Sequence, residues 1–261
     1  MSNYFKRIND LKLEKLNDIR INELHNVISN LPNNSKELEF IEIGSGTGIQ
    51  LNFLKNFFKN IVGIEIHESN YNQQVKDNIV YYNGSTIPFE DSSFDIVFSS
   101  HVMEHISNFS EFDKEIKRIL KPSGICIHVL PNSFWKFYNT LFHYPFIFKT
   151  ISEYFVRKYS EVGLTRRGTV TLHKRSIITL IFNVLMPPLH GENGNRFTEI
   201  FYMTSKFWKK RFQMYNWEIE RIIDSDYFVS GHLFLPNNLR YRFSKILGST
   251  STIFIVRKRN Q

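Results

Sequence analysis

The sequence predicts a doubly wound α/β domain with a mostly parallel sheet, and three observations predict it. A strand, a glycine turn, a helix and a second strand follow one another between Leu38 and Ile66. Short apolar runs then alternate with a helical segment as far as Leu130. The glycine turn stands where strand passes into helix, the place where such folds receive a nucleoside-bearing ligand.

Taken in order, residues from Asn3 to Asn30 carry Ile8, Leu11, Leu16, Ile19, Leu24 and Val27 at approximately helical spacing and stop before Pro32, so residues 1–36 are expected as capping helices. Apolar runs at 79–82, 94–98 and 125–130 read as strands covered on both faces. The helix-like EFDKEIKRIL segment and a Pro122-Ser123-Gly124 turn precede the last of them. Regularity lapses after Pro131 and returns as a helix over Thr204 to Met214, a strand over Glu218 to Ile223 and a final strand over Thr252 to Val256. The expected organisation is therefore a core domain of residues 37–131 and 200–261, with residues 132–199 inserted over its ligand-binding edge.

Composition sets wider bounds. A chain of 261 residues can bury a sizeable core as one domain with an insertion. Its 25 Phe and 12 Tyr exceed what a core alone needs, so some rings are expected to line a pocket or surface. The formal charge of +8 suits an acidic partner as well as it suits a plain basic surface. The longest apolar stretch, Ile177 to Leu189, stops at Pro187-Pro188, short of the roughly 20 residues that span a bilayer. Peripheral membrane contact stays open on this reading; spanning does not. The N-terminus lacks the pattern of a secretory signal. Cys126, the single cysteine, reads as an inert buried thiol, and the expected location is the cytoplasm.

The chemistry-bearing segment is Glu42-Ile43-Gly44-Ser45-Gly46-Thr47-Gly48. Its glycines permit a tight turn and close approach of backbone to ligand. Glu65 ends the second strand 21 residues after Gly44, where a carboxylate can accept hydrogen bonds from both ribose hydroxyls of an adenosine. The G-S-G-T-G spacing lacks the form that packs a helix against a pyrophosphate.

This segment resembles the first motif of the class I S-adenosylmethionine-dependent methyltransferases. Three further segments carry the resemblance: Ile87 to Val97 (IPFEDSSFDIV), His101 to Ile106 (HVMEHI) and Arg118 to Gly124 (RILKPSG). The resemblance covers about Leu38 to Leu130 and implies a seven-stranded Rossmann-like methyltransferase domain with S-adenosyl-L-methionine as cofactor. It also implies that Glu42 and the Gly44, Ser45, Gly46 and Gly48 backbone hold the methionine moiety, Glu65 the ribose, and Asn83, Gly84 and Ser85 the adenine edge, with Ile66 and Ser99 beside them. Asn83 departs from the family, which commonly has an acidic residue there; an amide carbonyl can accept the same hydrogen bond.

Methyl transfer from a sulfonium is an in-line displacement, so positioning dominates. A hydroxyl acceptor also needs a base, for which His101, His105 and His190 are candidates, the last in a polar lid-like loop with Glu192. No metal-ligand cluster is expected, because the histidines lack zinc-site spacing. Most rings of the aromatic stretch Phe134 to Tyr159 are expected in the insertion's own core, and the length of this aromatic insertion motivates a small-molecule, glycan or lipid-linked acceptor such as a surface-polysaccharide precursor. A nucleic-acid acceptor is disfavoured, since SSHV stands where an Asn/Asp-Pro-Pro-aromatic motif would serve amino-group methylation. A cofactor-binding module without activity is the third alternative.

Overall fold

The structure is a computed structural model that describes residues 17–31, 35–67, 69, 78–145, 189–229 and 236–259. The expected helix before residue 17, the stretch from residue 146 to Tyr159 and the apolar run from Ile177 to Pro188 lie outside the described residues.

Seven strands form one sheet: β1 (Glu39–Ile43), β2 (Asn60–Ile66), β3 (Ile79–Tyr82), β4 (Phe94–Ser100), β5 (Leu120–Pro131), β6 (Trp217–Asp224) and β7 (Ser251–Lys258). Their order is β3-β2-β1-β4-β5-β7-β6. β1 to β5 are parallel, whereas β7 runs antiparallel between β5 and β6. The order reverses between β1 and β4, which opens a crevice at their C-terminal ends where ligands bind in such sheets.

Period-two alternation sends neighbouring side chains to opposite faces. Phe40, Ile96 and Phe98 join one apolar cluster, Ile41, Ile43 and Val97 the other. Helix α1 (residues 17–28) and α2 (Ile49–Leu54) cover the first face through Leu24, Val27, Leu51 and Leu54. Helix α3 (Phe109–Ile119) covers the second through Phe109, Phe112 and Ile116. The expected capping helix is thus, in its described part, an integral layer of the core.

Three local readings need correction. Pro122 to Gly124, expected as a turn, is part of β5; a Cβ at Gly124 would lie 2.9 Å from the Asp95 carbonyl oxygen, so that strand approaches β4 as only glycine allows. The segment after Pro131 opens at once into helix α4 (residues 133–145), where the Asn132 Oδ1 accepts from the Phe134 and Trp135 amides at 3.0 and 3.2 Å. After α5 (Glu199–Tyr202) and the expected α6 (Ser205–Met214), a further helix, α7 (Asn237–Leu247), precedes β7. No described helix is long and apolar enough to cross a membrane.

Two of the motifs act as latches. Arg118 on α3 donates to the Phe89 and Ile87 carbonyls at 2.7 and 2.8 Å and to the Glu115 carboxylate. Lys121 donates to Asp95 at 2.7 Å, and the same carboxylate oxygen accepts from the Glu39 amide. These bonds tie the segment before β4 to the start of β5, at the N-terminal edge of the sheet, opposite the edge that carries the site.

Candidate active site

The glycine loop leaves β1 with Gly44, Gly46 and Gly48 at φ of 72°, 51° and 70°. These values belong to the left-handed region, which costs an L residue with a side chain roughly 1–2 kcal/mol. Gly44 is also sterically required, since a Cβ there would lie 2.5 Å from Val102 Cγ2. Gly48 ends the loop as the N-cap of α2.

Glu65, at the end of β2, lies over this loop. Its Oε2 accepts from the Gly46 amide at 2.6 Å and its Oε1 from the Ile66 amide at 3.1 Å. A carboxylate offers about four lone-pair sites, so two remain for a diol.

Beside it opens a cavity of about 330 Å³. The glycine loop and Glu65 wall one side; Asn17 and Arg20 of α1 and residues 100–102, 105 and 106 after β4 wall the other. Of the expected residues, Gly44, Ser45, Gly46, Glu65, Ile66, His101 and His105 line it.

The others stand elsewhere. Glu42 is buried beneath the loop, where burial, countered by Ser45 and reinforced by the Glu65 charge, pushes its carboxyl up to about 8. Ser99 is fully buried, its hydroxyl 2.8 Å from His128 Nδ1 across the β4–β5 pair. The Asn83 Oδ1 is taken by the Ser85 amide, the Ser85 hydroxyl and the Thr86 amide at 2.9–3.2 Å. Those bonds close a turn, so that carbonyl does not present a free lone-pair side to an adenine as the sequence suggested. Gly84 adjoins the cavity only through Ile66, whose Cγ2 lies 3.4 Å from where its Cβ would be. His190 is not on the cavity wall.

Sequence reasoning missed a buried charge cluster behind the second wall. Glu23 of α1 is 1% exposed and pairs with Arg20 at 2.9 Å. Burial alone would raise its carboxyl, but Arg20 and then His101 outweigh burial and hold it down at about 2. His101 bends off β4 with φ of 55°, and its ring lies between two carboxylates. Nε2 is 3.7 Å from Glu23 Oε2 and Nδ1 is 3.6 Å from Glu104 Oε1. Burial, aided by Arg20, lowers its pKa against the pull of both acids, so the ring stays neutral near pH 7. Clamped on both sides, His101 is placed to position rather than to reach an acceptor. His105 is half-exposed on the cavity wall and is the better-placed base. Burial lowers its pKa below the ordinary histidine value as well.

The described residues also bring together what sequence spacing kept apart. The Glu104 carboxylate, His105 and His190 meet with their ligand atoms within 4.8 Å of one another. The absence of a metal-type cluster expected from sequence is corrected here, because the fold supplies the proximity that the spacing lacked.

A crevice at the β1–β4 reversal, with a left-handed glycine loop and an acid ending β2, is the arrangement that the resemblance to class I S-adenosylmethionine-dependent methyltransferases implies. Residues 41–128 match the family described as a methyltransferase domain, and the chain carries that domain. Over 122 residues it is 31% identical to a ubiquinone biosynthesis O-methyltransferase of Rickettsia bellii, a match covering 44% of this chain and 51% of that protein. A sterol 4-C-methyltransferase of Caenorhabditis elegans is 30% identical over 100 residues, 34% of this chain and 30% of the relative. The chain thus spans about half the length of the first of these relatives, or less. An S-adenosylmethionine-dependent methyltransferase of Aquifex aeolicus superposes with a TM-score of 0.50 at 14% identity, covering 94% of this chain and 96% of that one. A second, from Mesorhizobium loti, gives 0.50 at 11% identity over 91% and 98%. At such identity the superpositions speak for the fold alone. The cofactor of this class is S-adenosylmethionine, and the glycine cradle, the spare lone pairs of Glu65 and the adjoining cavity fit it.

Proposed function

We propose that the chain is a methyltransferase that moves the methyl group of S-adenosylmethionine to an oxygen of a small-molecule, glycan or lipid-linked acceptor. The observation that carries this reading is the single cavity shared by the glycine loop, Glu65 and His105. The cofactor supplies a methyl activated by a positive sulfur. The chain's part is to align the two reactants and keep water out. Loop amides and Glu65 hold the nucleoside side, and Val102 and Ile106 form an apolar stretch beside His105. An acceptor hydroxyl reaching His105 gives its proton to the ring; its oxygen forms the new O–C bond as the S–C bond breaks, leaving a neutral thioether.

The acceptor class is supported by aromatic side chains close to this wall. Trp135 lies 4.3 Å from His190, whose ring is 4.8 Å from the wall residue His105, and the same helix α4 carries the half-exposed Phe134, Phe137 and Tyr144. Such rings suit sugars and apolar chains. Two relatives are named for ubiquinone biosynthesis and sterols, both apolar molecules. A cytoplasmic location with peripheral membrane contact is part of this proposal.

The test is calorimetric titration with S-adenosylmethionine and, separately, NAD, repeated on Gly46→Arg. The expected result is binding of S-adenosylmethionine alone, lost in the variant. Preference for NAD, or binding of neither, overturns the reading. RNA and lipid-linked acceptors assayed side by side across a salt series then distinguish an oxygen acceptor from a nucleic acid, whose methylation would fall steeply with salt.

A further inference from the structure

We propose that Glu104, His105 and His190 form a site for one divalent first-row transition-metal ion, placed to bind an acceptor hydroxyl at the edge of the cofactor cavity. The inference rests on the methyltransferase reading for the acceptor, but the site itself stands on its own geometry.

Glu104 is 4% exposed, yet neither of its carboxylate oxygens has a hydrogen-bond partner. A buried ionised group without partners is costly, and native proteins rarely leave one. Three imidazole nitrogens converge on its Oε1 instead: His101 Nδ1 at 3.6 Å, His105 Nε2 at 3.9 Å and His190 Nε2 at 3.6 Å. These separations are too long for hydrogen bonds. They are close to the spacing of neighbouring ligands around one ion, about 3.4 Å for a tetrahedral shell with bonds of about 2.1 Å. All the ligand atoms of the set lie within 4.8 Å of one another. His190 Nε2 likewise has no hydrogen-bond partner.

The arrangement around these groups holds them in place. The backbone oxygen of Glu104 accepts from the Glu192 amide at 2.9 Å, which pins the loop bearing His190 against it. Gly191 makes that approach feasible, since a Cβ there would lie 2.9 Å from the same oxygen. Glu199, itself buried and paired with Lys136, accepts from the His190 and Gly191 amides at 2.7 and 2.5 Å. These bonds fix the loop so that it presents the His190 imidazole to the Glu104 carboxylate.

Two imidazoles and a single carboxylate suit zinc, cobalt or manganese better than magnesium, which prefers oxygen ligands. Three protein ligands leave a coordination position open, as catalytic sites do. His105 also lines the cavity, so an ion held here would lie at the edge of the cavity. A hydroxyl held there loses its proton to water near neutral pH far more readily than in the absence of an ion, so with the ion bound His105 serves as a ligand and is not needed as the base.

The experiment uses the whole chain stripped of metal by a chelator, titrated with Zn²⁺ and, in parallel, Mg²⁺, beside Glu104→Gln and His190→Ala. Far-ultraviolet circular dichroism monitors the fold of each, and each is also titrated with S-adenosylmethionine. The expected result is one Zn²⁺ per chain, much weaker Mg²⁺ binding, and a fall in Zn²⁺ affinity in both variants beyond the roughly 10–100-fold that loss of an outer-shell partner costs. S-adenosylmethionine binding persists in His190→Ala, since His190 is not on the cavity wall. A folded chain that binds S-adenosylmethionine but no Zn²⁺, or binds Zn²⁺ equally well in both variants, overturns the metal site and leaves the methyltransferase reading standing. Zn²⁺ binding lost in both variants, in a chain that never binds S-adenosylmethionine, supports the site and overturns that reading.

Discussion

The two walls of the cavity are built on different principles. The cofactor wall is backbone: a loop of left-handed glycines and one carboxylate, all within residues 44–66. The opposite wall is side chains drawn from distant parts of the chain. Arg20 comes from α1 and His101 and His105 from the turn after β4, and directly behind them stand Glu23 of α1, Glu104, and His190 from a loop 85 positions after His105. A backbone site is set by local conformation, so a short motif specifies it. A side-chain site with buried charges is set by tertiary packing, and each of its members leans on the others. The first is expected to fail locally when altered, the second to take part of the fold with it.

The largest effect that sharpens this contrast is expected from Glu23→Ala. The variant leaves Arg20 and His101 without their acid in a buried place, and breaking a buried pair from one side costs about 3–5 kcal/mol. The depressed Glu23 carboxyl gives an independent figure. A fall from the ordinary 4.5 to about 2 corresponds to about 3 kcal/mol of stability. Because the folded value is the lower one, that stability is present above pH 4.5 and is lost as pH falls toward 2. Chemical denaturation at pH 7 and pH 3 checks both statements. The variant should be less stable by about 3 kcal/mol at pH 7, with the gap narrowing at pH 3. An equal gap at both pH values would mean that the pairing is not electrostatic.

How much of this was legible in the sequence follows the same division. The glycine loop, Glu65 and the Arg118 segment could be read because turn, strand end and latch are each specified within a few residues. The strands could be read because both faces of the sheet are buried and the apolar runs are continuous. Helix α4 could not. Phe134, Phe137, Leu141 and Tyr144 form an exposed apolar stripe, and apolar residues on both sides of a helix erase its periodicity. Glu23 read as one more charge on a solvated helix face; only its contact with His101 across the fold gives it a role. Asn83 was read by position in a motif, and its hydrogen bonds turn out to serve the turn. Nothing in the spacing of Glu104 and His190 announced that a loop would bring them together. A buried-looking acid beside two histidines in HVMEH was the one available signal.

A second, smaller effect tests the cofactor wall from beneath. Burial holds the Glu42 carboxyl up at about 8, so the folded chain keeps a proton that the unfolded chain releases above the ordinary 4.5. Stability from this group is therefore full below pH 4.5 and is lost as pH rises toward about 8, a decline of about 3 kcal/mol by pH 7. Glu42→Gln mimics the protonated carboxyl and removes the decline. The variant is expected to be more stable than the parent by about 3 kcal/mol at pH 7 and equal to it near pH 4.5. Melting curves across that range decide the matter; parallel pH profiles would show that Glu42 is ionised in the fold.

The smallest effect concerns the edge between turn and cofactor. The Asn83 Oδ1 accepts three hydrogen bonds within its own turn, at an exposed place where such capping contributes about 1 kcal/mol. Asn83→Ala should therefore cost about that much stability, and Asn83→Asp, which keeps the acceptor, almost none. With its carbonyl occupied, the side chain contributes little to S-adenosylmethionine affinity, so calorimetry should find less than about a threefold change, under 1 kcal/mol. A tenfold loss with stability unchanged would reverse the assignment. The carbonyl would then turn from the chain to the adenine on binding, and the cofactor wall would include a side chain that rearranges around its ligand rather than backbone fixed in advance.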